Sequence, residues 1–128
     1  MNNFTDALKQ RNLEELRKHP KADLHNHFVL GGSRSFLYQA TDKRIEPITH
    51  PMSSMDEMEA WSQKYIGQYF NSTEMRKLLI KAAFQQAKED GVTVLEIGED
   101  VWGLGEFFNN DIDELVDAFT SAQKEIAP

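Results

Sequence analysis

Apolar positions recur along this chain with two different periods, and the places where the period changes mark its elements. Leu8, Leu13 and Leu16 stand among charged residues, with Asn12 and Glu15 spaced as a capping box, so short helical turns are predicted before His19 and Pro20. Proline then turns the chain to extended form. Over residues 21–28 the side chains alternate, with Ala22, Leu24, Asn26 and Phe28 on one side and Asp23, His25 and His27 on the other, which predicts a strand. Val29, Leu30, Gly31, Gly32 and Ser33 follow as a turn, since paired glycines let the backbone bend sharply or come close to a ligand. A short helix is predicted over 36–42, and residues 45–51, with two prolines, read as irregular connection.

Helical spacing dominates the next stretch. Met55, Met58, Trp61, Tyr65, Ile66 and Tyr69 fall mostly at three- and four-residue steps and predict one amphipathic helix over 54–70. Asn71 and Glu74 form a further capping box ahead of Met75, Leu78, Leu79, Ala82, Ala83 and Ala87, and Gly91 stands where a left-handed C-terminal residue belongs. Residues 92–97, Val-Thr-Val-Leu-Glu-Ile, are β-branched and nearly all apolar, as in a parallel strand buried on both faces. Asp111 and Glu114 cap a last helix bearing Leu115, Val116, Phe119 and Ile126. The order is strand, long helical connection, strand, helix, which is about two βα units of an α/β fold.

Composition narrows the function classes. With 14 basic against 21 acidic side chains the formal charge is -7, which repels a phosphate backbone, so no nucleic-acid partner is expected. No apolar run approaches the roughly 18 residues needed to cross a bilayer, and the opening residues lack the basic-then-apolar order of a signal peptide. No membrane partner and a cytoplasmic location are therefore expected. The chain has no cysteine, so any metal must be held by imidazole and carboxylate.

His25 and His27 are the candidates for that role. Two apart on a strand, their imidazoles project from one face and can reach a single ion. A bare His-x-His matches by accident too often to carry a site alone. Its position adds weight, because it stands at the C-terminal end of a strand, directly before a glycine turn. The other two histidines, His19 and His50, precede the strand and sit in the proline-rich connection, where surface use is the simpler reading. Trp61, Tyr65 and Tyr69 read first as a core-facing stripe and second as an apolar lid over a substrate ring.

The run Pro20-Lys21-Ala22-Asp23-Leu24-His25-Asn26-His27-Phe28 resembles the opening strand of the adenosine deaminase family, which reads Pro-Lys, a small residue, an acid, Leu, His-x-His and a large apolar residue. Residues 89–97 are similar to the family's second strand, where an acidic helix end and Gly-Val lead into an apolar strand bearing glutamate. The helix from Ser72 resembles the one before that strand, and residues 54–58 resemble the start of a lid-like helix, so the likeness spans most of residues 20–98.

The resemblance implies a zinc-dependent hydrolytic deaminase acting on an amino-purine nucleoside or a related small molecule. It also implies a (β/α)₈ barrel of roughly 250 residues. Residues 1–128 would then be the incomplete N-terminal part of a single metal-dependent hydrolase barrel domain, with a long helical insertion after its first strand. Zinc would take His25 and His27, with a third histidine and an aspartate from later strands. Two ligands hold zinc weakly, so weak or absent metal is expected in this chain alone. No residue here matches the family's catalytic glutamate or histidine; Glu96 and Glu99 match its second strand and read as barrel-interior or strand-end polar contacts. The chain alone is therefore expected to be inactive, with its substrate-binding residues unassigned.

One departure bears on the substrate. Where the family follows His-x-His with Leu-Asp-Gly, its aspartate contacting the nucleoside sugar, this chain has Phe28-Val29-Leu30-Gly31-Gly32. That substitution points away from adenosine and toward another amino-substituted ring. Two alternatives stand beside this reading. One is a small non-catalytic binding or oligomerisation module whose unpaired strand edges self-associate; the other is a different amidohydrolase of the same superfamily.

Overall fold

The structure is a computed structural model and describes residues 3–128; residues 1 and 2, part of the opening stretch read for a leader, lie outside them. The chain begins with two short helices, α1 (Phe4–Lys9) and α2 (Leu13–Lys18), each capped by an asparagine. As the capping-box spacing predicts, the Asn12 side chain accepts from the Glu15 N–H at 3.1 Å. Strand β1 (Lys21–His27) follows Pro20 directly.

The predicted glycine turn is a single helical turn, α3 (Phe28–Gly31), which leads into α4 (Arg34–Thr41) capped by Ser33. Gly32 is required there because the backbone runs against α6 (Thr73–Glu89): Ser33 N–H donates to the Ala82 carbonyl at 2.9 Å, and a Cβ at Gly32 would collide with Ala82. The amphipathic stretch predicted as one helix forms α5 (Met55–Ser62) and then widens into a π-helical turn over Gln63–Gly67. That turn closes through a bond from Gln68 N–H to the Gln63 carbonyl. Ser72, not Asn71, caps α6 by accepting from Met75 N–H at 3.3 Å. Gly91, at φ +72°, turns the chain from α6 into β2 (Val92–Gly98). Helix α7 (Val101–Phe108) and helix α8 (Ile112–Ile126) complete the chain, α8 starting at the Asp111 cap as its sequence predicts.

The expectation of a barrel portion does not hold. Among the described residues there is one sheet of two parallel strands, β1 beside β2, while helices take up 61% of those residues. The cause is where the apolar surface goes. The most buried side chains, Phe28, Phe70, Leu79, Ile80, Ala82 and Phe108, come from helices and their junctions. They pack around α6, whose Ala82 and Ala83 let neighbouring backbones approach closely. The sheet lies at the margin of this helical core, and Leu95 and Ile97 of β2 pack against it only partly buried.

The second strand is accordingly not buried on both faces. Val94 is 54% exposed and Leu24 59%, so the side of the sheet away from α6 is uncovered. The alternation along β1 also slips: Leu24 and His25 are both exposed, and the pairing register shifts between Asp23, opposite Leu95, and Asn26, opposite Ile97. No helix among the described residues is long and apolar enough to cross a membrane.

Candidate functional site

Extended backbone carries His25 and His27 on the exposed side of β1, and the two rings meet. Their Nε2 atoms lie 2.8 Å apart and the ring centroids 4.8 Å apart, tilted by 44°. At that separation one Nε2 carries hydrogen and the other accepts it. A metal would need a lone pair from each, so the donor ring would have to move its proton to Nδ1. The donor set suits zinc for two positions. Among the described residues no group of three or more His, Asp or Glu side chains gathers closely enough to hold a metal ion. The pair sits at a hollow of about 250 Å³ that Leu24, Glu96 and Glu99 also line.

The other histidines are elsewhere. His19 packs edge-on against Phe4, and His50 bonds to Glu57 at 2.7 Å. Trp61 and Tyr65 lie side by side with centroids 5.6 Å apart, whereas Tyr69 stands under the Lys43 ammonium. The three aromatics therefore do not form one surface.

Next to the histidine pair lies a buried ion pair. Arg76, in the first turns of α6, lies 3.2 Å from the Glu99 carboxylate, and the two side chains are only 9% and 1% exposed. The guanidinium also stacks over Phe107, 4.2 Å from the ring centroid. Arg76 Nη2 donates to Glu99 Oε1, and Asp100 N–H donates to the same oxygen, leaving Oε2 buried without a hydrogen bond. Burial pushes the Glu99 carboxyl above its ordinary pKa, with Arg76 and the Asp100 N–H opposing the shift. Both residues line a second hollow of about 340 Å³, shared with His27, Leu30, Trp102 and Phe107.

The polar contact expected of Glu99 is found at the strand end, as a buried ion pair with Arg76, and with no barrel there is no barrel interior for it to face. A signal for Arg76 did exist, since residues 76, 80, 83 and 87 share the helical phase of the buried stripe, and a cation there needs a buried partner. No protein-family model, curated protein or solved structure matches this chain.

Proposed function

We propose that this chain contributes the His25–His27 pair to the metal site of a zinc-dependent hydrolytic deaminase acting on an amino-substituted purine nucleoside or a related ring. The observation that carries the reading is the convergence of the two Nε2 atoms at 2.8 Å on an exposed strand end. Bound zinc in such a site lowers the pKa of a water and so supplies hydroxide at neutral pH. His25 and His27 would hold the ion, and His27 lines both hollows. The remaining ligands and the proton donor come from outside this chain, which by itself is inactive.

Zinc competition against a chelator tests the pair directly. Weak binding that disappears in both His25→Ala and His27→Ala is expected. Histidine-independent binding would sink the reading, and tight one-to-one binding would contradict a two-ligand site. Ammonia release from amino-purine nucleosides, measured once the missing ligands are supplied, then tests the reaction; activity persisting in His25→Ala would exclude the pair.

The uncovered sheet side, with Leu24 and Val94 more than half exposed, favours a second reading as a binding or self-association module. Histidine-dependent zinc uptake separates the two, because a purely structural module has no use for the convergent rings.

A further inference from the structure

Another cavity of about 440 Å³ borders α3; it shares Val29, Leu30 and Ile66 with the hollow beside His27, and neither His25 nor His27 lines it. Its volume falls within the range of small-molecule sites, roughly 300–1,000 Å³. The walls are mainly apolar, from Leu30 on α3, Leu37 on α4, Ile45 and Ile48 in the proline-rich connection, and Met58 on α5. Three of its lining side chains are polar or carry a polar handle: Arg34, Gln86 and Trp61.

Two of these lack partners. Trp61 Nε1 is buried with no hydrogen-bond acceptor, an unfavourable state for an indole N–H, and the Trp61 ring lines the cavity wall. Arg34 is exposed and makes no ion pair among the described residues. Gln86, by contrast, is held by its amide to Asp90 at 2.8 Å. Among the described residues no carboxylate lines the cavity, although the whole chain carries a charge of -7. The adjoining shallow hollow brings Arg44 to the same rim as Arg34, with Ile45 and Pro47 common to both. Arg44 is already paired with Glu46 at 3.1 Å, which leaves Arg34 as the free charge of the rim.

We propose that this cavity binds a small monocarboxylate with an apolar body, such as a medium-chain alkanoate. The hydrocarbon fills the aliphatic chamber beside the Trp61 ring, and the carboxylate pairs with the Arg34 guanidinium. A cationic head meets Arg34 unfavourably. A neutral alcohol fills the chamber without using the charge.

The test is calorimetric titration of the protein with octanoate, 1-octanol and octylamine. Fluorescence of Trp61 in a Trp102→Phe background, which removes the other of the two tryptophans, places the ligand. Octanoate is expected to bind about tenfold tighter than 1-octanol, a preference worth one decade of affinity. Arg34→Gln, a change on an exposed side chain, should erase that preference while leaving 1-octanol binding in place. Equal binding of octanoate and 1-octanol, a preference for octylamine, an unaltered preference in Arg34→Gln, or an unchanged Trp61 signal would each overturn the proposal. His25→Ala should leave octanoate binding untouched, so this proposal and the zinc reading fail separately.

Discussion

The Arg76 guanidinium stands 3.2 Å from both carboxylate oxygens of Glu99, twenty-three residues away, and joins the first turns of α6 to the end of β2 in an almost solvent-free position. The two partners are not equivalent. A buried carboxylate deprived of its partner can take up a proton, and burial has already raised the Glu99 pKa; a guanidinium cannot be neutralised in the same way. Glu99→Leu should therefore cost about 3–5 kcal/mol of unfolding free energy, the range for breaking a buried pair, and Arg76→Met should cost less. The folded protein holds the Glu99 proton more tightly than the unfolded chain does. The contribution of this group is thus most favourable below about 4.5, its ordinary pKa, and falls as pH rises through the raised folded value. Urea unfolding of both variants at pH 4 and pH 7 checks the order, and an Arg76→Met penalty that does not shrink on acidification would refute it.

Glu57 shows the opposite shift. The Ser53 backbone N–H donates to its carboxylate at 2.7 Å, with His50 Nε2 at 2.7 Å and the Ser53 hydroxyl at 2.8 Å, and these bonds hold its pKa at about 2 instead of 4.5. Stability from this group is present above 4.5 and lost as pH falls toward about 2. Carboxyl NMR should find the Glu57 midpoint near 2, and Glu57→Gln should remove part of the acid-induced loss of helix at α5. A midpoint in the ordinary range would show that the Ser53 bonds are not kept in solution.

Gly91 cannot carry a side chain without loss. Its φ of +72° belongs to the left-handed region, and a Cβ there would run into the Arg17 carbonyl at the end of α2. Gly91→Ala should cost at least about 1–2 kcal/mol from backbone conformation alone. Its thermal midpoint would fall accordingly; an unchanged midpoint would mean that the α6–β2 junction is free to rearrange.

The uncovered side of the sheet should drive self-association. Leu24 and Val94 are 59% and 54% exposed, and each strand has a neighbour on only one edge among the described residues. Sedimentation equilibrium is expected to show concentration-dependent dimers that Leu24→Lys weakens, with stability changed by less than about 0.5 kcal/mol because the position is on the surface. Monomers at every concentration would dismiss this face as an interface.

Much of the molecule is legible in its residue order because much of it is local. The Asn12 and Asp111 caps, the run of α6, the left-handed Gly91 and the positions of the two strands depend on neighbours a few positions apart, and there the pattern and the structure agree. The His25–His27 contact belongs to the same class, since side chains two apart on a strand share a side. Where the pattern erred locally, other chemistry intervened. Hydrophobic periodicity does not distinguish α-helical from π-helical turns, so the widening at Gln63–Gly67 went unseen. Gly32, expected with Gly31 to form a turn, instead lets the α3–α4 junction press against Ala82.

Tertiary structure alone decided what covers each apolar face. The run over 92–97 records that β2 is apolar, yet a buried parallel strand and a strand half-covered by a helix carry nearly the same letters. The apolar faces of α3 through α8 found one another around α6, so the core is helical and the sheet marginal, and among the described residues no barrel forms. The Arg76–Glu99 pair and the partnerless Trp61 N–H likewise exist only once distant segments pack. Periodicity states which side of an element avoids water; the free energy of packing, summed over segments far apart in the chain, selects its neighbour.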